Sequence, residues 1–95
     1  MISKTLYHVT TPRKLERYQS TGRIIKPVRG FTTLAAARDW AAHTGRTVII
    51  RVVGSDCHKL PDHHQPSGDA WWIDHDVPVW DPVYARAELR HWSAP

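Results

Sequence analysis

Gly30-Phe31-Thr32-Thr33-Leu34-Ala35-Ala36-Ala37-Arg38-Asp39-Trp40-Ala41-Ala42-His43-Thr44-Gly45-Arg46-Thr47-Val48-Ile49-Ile50-Arg51-Val52-Val53 reads as a strand, a helix and a second strand in quick succession. Thr33 stands where a helix N-cap belongs. Leu34, Ala37 and Ala41 share one face of a helix over 34–44, Arg38 points away from it, and Gly45 supplies the C-terminal stop. From Thr47 to Val53 the chain alternates, with Val48, Ile50 and Val52 on one face and Ile49, Arg51 and Val53 on the other. Apolar residues on both faces predict a strand covered from both sides.

Toward the N-terminus, Thr5-Leu6-Tyr7-His8-Val9-Thr10 is a β-rich segment and predicts a buried strand. Thr11-Pro12 then reads as an N-cap followed by proline at the first helical position. Leu15 and Tyr18 follow at helical spacing, and Gly22 ends that helix. Arg23 to Lys26 is a short extended piece stopped by Pro27. Toward the C-terminus, Gly54 to Gly68 holds two prolines and reads as a long loop. Ala70-Trp71-Trp72-Ile73 predicts a strand, and Val77-Pro78-Val79-Trp80 a sheet edge, because proline cannot donate to a ladder. Finally Val83, Ala85, Ala87 and Leu89 alternate with Tyr84, Arg86, Glu88 and Arg90. Two helices and five or six short strands make an α+β domain.

The 95 residues fit one small domain, with no room for a two-domain enzyme. Hydrophobic and charged contents of 41% and 23% suit a packed globule rather than a disordered chain. No apolar run is long enough to span a membrane, and Met1 to Thr5 lack the order of a signal peptide, so a soluble cytoplasmic domain is expected. Cys57, the only cysteine, excludes an internal disulfide and a four-cysteine zinc site. Net charge is +4 but unevenly placed. Residues 1–53 carry three lysines and seven arginines against Glu16 and Asp39, a balance of +8; residues 54–95 carry three basic residues against seven acids, a balance of −4. Either chance or a cationic surface for an anionic ligand accounts for that asymmetry.

Three places hold chemistry-bearing residues. His8 lies mid-strand and shares a face with Leu6 and Thr10, so His8 and Thr10 are placed to grip one ligand; the alternative is a core histidine satisfied by backbone or a tyrosine. Asp56-Cys57-His58-Lys59-Leu60-Pro61-Asp62-His63-His64 is dense in metal-ligand types, with Cys57, His58, His63 and His64 the candidate donors. Its spacings match no structural zinc pattern and adjacent residues seldom face one ion, so a solvated polar loop without metal is the expectation. Gly68-Asp69-Ala70-Trp71-Trp72-Ile73-Asp74-His75-Asp76 sets three carboxylates beside two indoles. Asp69, at the start of the strand, is placed to project into a cleft, whereas Asp74 and Asp76 flank a turn. No phosphate-binding glycine loop, Ser-His-Asp context or nucleic-acid motif is present.

In this order the segments resemble a compact member of the ADP-ribosyltransferase-like superfamily, which includes the RNA 2′-phosphotransferases. Leu6-Tyr7-His8-Val9-Thr10 is similar to the opening strand of that superfamily, Gly30-Phe31-Thr32-Thr33 with its Ala-rich helix to the second motif, and Gly68-Asp69-Ala70-Trp71-Trp72 to the third. The resemblance covers about residues 5–85 and implies one domain over 1–95, built of two small antiparallel sheets and two short helices. It also implies NAD as substrate and ADP-ribosyl transfer, as in a toxin or effector. His8 and Thr10 would hold a ribose and Asp69 would stabilise an oxocarbenium-like centre. Tyr7, Phe31, Thr32 and Trp71 would line the nucleotide site, and Arg23, Arg29 and Arg46 would meet the pyrophosphate. Two positions depart from the pattern. Thr32 falls where the superfamily commonly has a tyrosine that stacks on nicotinamide, leaving Phe31 or Trp40 to substitute. Asp69 falls where it has a glutamate and is one methylene shorter. These departures leave two alternatives open: a non-catalytic module binding a nucleotide, RNA or protein, and a 2′-phosphotransferase-like activity. A protein or nucleic acid is a candidate acceptor of an ADP-ribosyl group, with a small molecule or water the alternatives left open.

Overall fold

The computed structural model describes residues 3–61 and 67–79, and the backbone of 83 and 84. Trp80, Trp92, His63, His64 and the alternation beyond Tyr84 lie outside the described residues. The chain runs β1 (Lys4–Thr10), α1 (Pro12–Thr21), β2 (Arg23–Ile24), β3 (Val28–Phe31), α2 (Leu34–Thr44), β4 (Val48–Gly54), β5 (Cys57–Lys59), β6 (Ala70–Ile73), β7 (Val77–Pro78) and β8 (Val83–Tyr84). Six strands form an antiparallel sheet in the order β5-β6-β3-β1-β4-β8, and β2 and β7 form a second, two-stranded one. The α+β class, the two antiparallel sheets and the two helices expected from the sequence are all present. The strand count is higher than expected, because 54–68 is not wholly a loop: Cys57 to Lys59 pair with Trp71 to Ile73. Three residues carry too little periodicity to announce a strand, and only their partner makes them one.

Both helices begin and end where local chemistry directs. Thr11, extended at φ −111°, accepts a hydrogen bond from the Lys14 amide at 3.2 Å, and Pro12 occupies the position where a missing N–H costs nothing. Gly22 closes α1 at φ 80°, a left-handed conformation, and its amide donates to the Tyr18 carbonyl at 2.7 Å. Thr33 caps α2 by accepting from the Ala36 amide at 3.1 Å. The same hydroxyl donates to the Ser67 carbonyl at 2.6 Å, so the cap also fixes the chain that enters β6. Ala36, Ala37 and Ala41 form the buried stripe of α2, with Leu34 half-buried beside them.

The pleat of the large sheet sorts the apolar residues into two cores on opposite faces. Leu6, Val28, Val48, Ile50, Val52 and Ile73 build the first, joined by Ile24 and Val77 from the small sheet and flanked by Leu15 and Tyr18 of α1. Val9, Phe31, Ile49 and Ala70 build the second against the alanines of α2. Covering both faces explains why β4 reads as a nearly unbroken apolar run. Trp71 and Trp72 diverge as expected: Trp71 packs on the first core under the Lys4 ammonium, 4.3 Å from its ring, while Trp72 stacks on His58.

β1 is registered to β4 at seven positions, from Lys4↔Gly54 to Thr10↔Val48, but to β3 only at Tyr7↔Phe31. Beyond that pair β1 and β3 separate. Gly30 sits at the point of divergence, where a methyl group would lie 2.9 Å from Leu6 Cβ and 3.0 Å from the Tyr7 carbonyl oxygen. Gly30→Ala is therefore expected to cost about 1–3 kcal/mol. At roughly 4–8 °C per kcal/mol for a domain of this size, thermal unfolding should reveal it; an unchanged midpoint would show that the strands are not this tightly opposed.

Candidate functional site

The gap between β1 and β3 is the floor of a cleft of about 370 Å³. Its wall is built by His8 and Val9 of β1, Lys14 and Tyr18 of α1, Ile24 and Ile25 of and after β2, and Pro27 to Phe31 apart from Val28. Trp40, Arg46, Leu60 and Ala70 complete it from the α2 side. Residues from both faces of the sheet thus meet in one cavity, which the parting of two neighbouring strands makes possible.

His8 anchors the centre. Its Nδ1–H donates to the Arg29 carbonyl at 2.6 Å, bridging the gap that the missing ladder bonds leave. That bond leaves Nε2 as an acceptor, with the Tyr18 hydroxyl 3.5 Å away. The distance is long for a hydroxyl donor, so the lone pair is free to accept a closer hydroxyl from a ligand. Burial lowers the His8 pKa below its ordinary 6.5; the Arg29 carbonyl opposes that shift, and the positive charges of Lys14 and Arg46 add to it. The imidazole is consequently neutral at neutral pH. It acts as a hydrogen-bonding group rather than as a fourth cation.

The electrostatics of the lining are one-sided. Lys14, Arg29 and Arg46 contribute three cations, and no carboxylate among the described residues lines the cleft. Among the described residues none of the three is ion-paired; Arg46 is steadied by donating from Nη1 to the Val9 carbonyl at 3.4 Å. Tyr18 beside His8 and Phe31 beside Trp40, each pair with ring centroids about 6 Å apart, supply aromatic surface at two places in the wall. Such a cavity is chemically suited to an anion that also carries planar rings.

The residues singled out in the sequence divide into two groups. His8, Arg29 and Phe31 line the cleft, as do Trp40 and Arg46. Thr10, Tyr7, Thr32, Asp69, Trp71 and Arg23 are not part of its wall. Thr10 is 1% exposed and its hydroxyl has no hydrogen-bond partner among the described residues. Thr32 accepts the Asp69 amide on its hydroxyl at 3.1 Å, and its own amide donates to the Asp69 carbonyl at 3.0 Å, which fastens β3 to the start of β6. The Asp69 carboxylate lies 3.8 Å from Lys59 Nζ, one residue from the wall at Ala70. Arg23 pairs with Asp76 at 3.7 Å on the small sheet. Lys14 and Tyr18 were the contributors the sequence reading missed. Their spacing of four on α1 places them on one helix face, a signal present in the chain, where only Tyr18 stands out and only for its helical spacing from Leu15.

No protein-family model matches this chain, and neither a curated protein nor a solved structure does.

The lowered pKa of His8 makes stability depend on pH with a definite sign. The unfolded chain takes up a proton near pH 6.5, whereas the folded chain resists until a lower pH. Stability from this group is therefore complete above pH 6.5 and declines as pH falls from there toward the folded pKa. His8→Gln should flatten that part of the profile in urea unfolding between about pH 7.5 and 5, a window spanning the ordinary histidine range. An identical slope in both proteins would show that His8 is not buried as a neutral ring.

Proposed function

We propose that the cleft binds a phosphate-bearing nucleotide, with a nicotinamide dinucleotide as the ligand the resemblance implies. The observation that carries this reading is the lining itself: three cations with no counter-ion and no acid among the described residues, and aromatic surface beside a neutral His8. Lys14, Arg29 and Arg46 would meet phosphate oxygens, and His8 Nε2 would accept from a ribose hydroxyl. Tyr18, Phe31 and Trp40 offer surfaces for ring packing.

A second reading, ADP-ribosyl transfer from NAD, is favoured by the position of Asp69 next to the wall residue Ala70 and by the adjacency of β1, which carries His8, to β3 and of β3 to β6, with Thr32 directly after β3 and Asp69 directly before β6. In that reaction the bond between ribose and nicotinamide breaks, and nicotinamide leaves with the electron pair. A hydroxyl or amine acceptor then bonds to the ribose carbon and loses its proton. The Asp69 carboxylate would exchange its Lys59 partner for the cationic ribose, stabilising positive charge that exists only near the transition state.

The experiment is a thermal-unfolding titration with NAD. At about 100 times the dissociation constant, binding should add ~2.7 kcal/mol of stability. Arg29→Ala and Arg46→Ala should each weaken binding about tenfold, the scale of one charge-assisted hydrogen bond. No shift at millimolar NAD in a folded sample would reject the reading. Asp69→Ala separates the second reading from the first. Its exposed ion pair is worth at most about 1 kcal/mol, so the variant should fold and bind, yet release no nicotinamide. Binding by the native chain without nicotinamide release would leave a binding module and remove catalysis.

A further inference from the structure

A second cluster of chemistry-bearing residues lies outside the cleft, at the end of the β5–β6 ladder remote from the loop that joins these strands. Asp56 and Asp74 extend the ladder by one pair beyond Cys57↔Ile73, the Asp74 amide donating to the Asp56 carbonyl at 2.9 Å. By the two-residue period of a strand, Asp56 and His58 share a face, and Asp74 shares it from across the pair, next to Trp72. One ligand atom from each of Asp56, His58 and Asp74 lies within 4.8 Å of the other two. His58 Nε2 is 2.8 Å from Asp56 Oδ1. The imidazole is stacked on Trp72 at 4.6 Å and 25°, which holds its plane against the strand pair.

The arrangement has an electrostatic fault that a cation would repair. Carboxylates directly opposite each other on neighbouring strands repel. Among the described residues no lysine or arginine pairs with Asp56 or Asp74, although Lys59 and Arg23 are engaged by Asp69 and Asp76 nearby. Cys57 faces the other way, packing on the first core with its thiol donating to the Gly54 carbonyl at 3.4 Å. His75 is also committed elsewhere: its Nε2 accepts from the Ser55 amide at 3.0 Å and its Nδ1–H donates to the Asp76 carbonyl at 2.8 Å. The donor set is therefore one imidazole and two carboxylates.

We propose that Asp56, His58 and Asp74 bind a single divalent cation of the zinc class, with water completing its coordination. First-row divalent ions hold nitrogen and oxygen ligands at ~2.0–2.2 Å, so two ligands on one tetrahedral ion lie about 3.4 Å apart. His58 Nε2 and Asp56 Oδ1, 2.8 Å apart, would part slightly and Asp74 would close by at most about 1.4 Å, a shift that rotation of its exposed side chain can supply. An imidazole donor favours zinc over magnesium or calcium, which take oxygen ligands. On binding, the ion takes the place of the proton between His58 Nε2 and Asp56; that proton moves to Nδ1 or is released to solvent, and the bound ring is neutral with its proton on Nδ1. The strand β5, which the sequence presents as part of a loop, would then be tied to β6 at the open end of the pair.

The test is calorimetric titration of the full chain with zinc chloride, alongside His58→Gln and Asp74→Asn. His58 is substantially exposed and Asp74 lies on the surface, so both variants should retain the native far-ultraviolet circular dichroism spectrum. The expected result is one equivalent of zinc bound by the native chain, at least about tenfold weaker binding in each variant, and no displacement by millimolar magnesium. Absence of zinc binding would overturn the proposal. So would unchanged affinity in either folded variant, which would place the ion elsewhere, for instance on His63 and His64. Displacement by magnesium would overturn the zinc-class assignment.

Discussion

The structure depends on an imbalance in the hydrogen bonding of its central strand. β1 is covered on both faces and registered to β4 along its whole length, yet it meets β3 at only one registered pair. A buried strand whose ladder is interrupted leaves polar backbone groups that need other partners. Here His8 supplies one by donating to the Arg29 carbonyl, and Arg46 supplies another by donating to the Val9 carbonyl. The side chains that define the cleft are thus the same ones that make its opening tolerable. Cavity and scaffold cannot be varied independently, because removing His8 changes both the ligand-facing Nε2 and the backbone bridge behind it.

Much of this was legible in the chain. Thr11-Pro12 with Gly22, and Thr33 with Gly45, marked both helices to within a residue, because caps are local and each rests on one side chain and one backbone conformation. The alternation of Val48 to Val53 located the strand that faces both cores. What could not be read was the consequence of pairing. Cys57 to Lys59 become a strand only because Trp71 to Ile73 lie beside them, and nothing within three residues encodes that neighbour. The candidate site was legible only in part for the same reason: His8, Arg29, Phe31, Trp40 and Arg46 were named from the chain, the α1 residues were not. Lys14 and Tyr18 belong to the cleft because α1 packs across the end of a gap between two strands, a relation set by tertiary contacts. Asp69 illustrates the converse: its chemistry invited a role in a cleft, while its side chain sits by Lys59.

Charge asymmetry along the chain becomes geometry in the fold. All three cations of the cleft come from the basic half, on α1, β3 and the turn before β4. Three described acids of the other half, Asp56, Asp69 and Asp74, cluster around the β5–β6 pair. Because β6 lies next to β3, the two regions share one sheet, and their opposite potentials run across it from strand to strand rather than along it.

Thr33 joins two parts of the molecule through one hydroxyl, which accepts from the first turn of α2 and donates to Ser67. Thr32 adds two bonds to Asp69 directly alongside. The start of α2 and the entry to β6 therefore open and close as one cooperative unit: amide exchange at Ala36 and at Asp69 should report a common local unfolding event. Any load applied to Asp69 is transmitted to the helix cap, so the first turn of α2 would register events at β6 without touching a ligand itself.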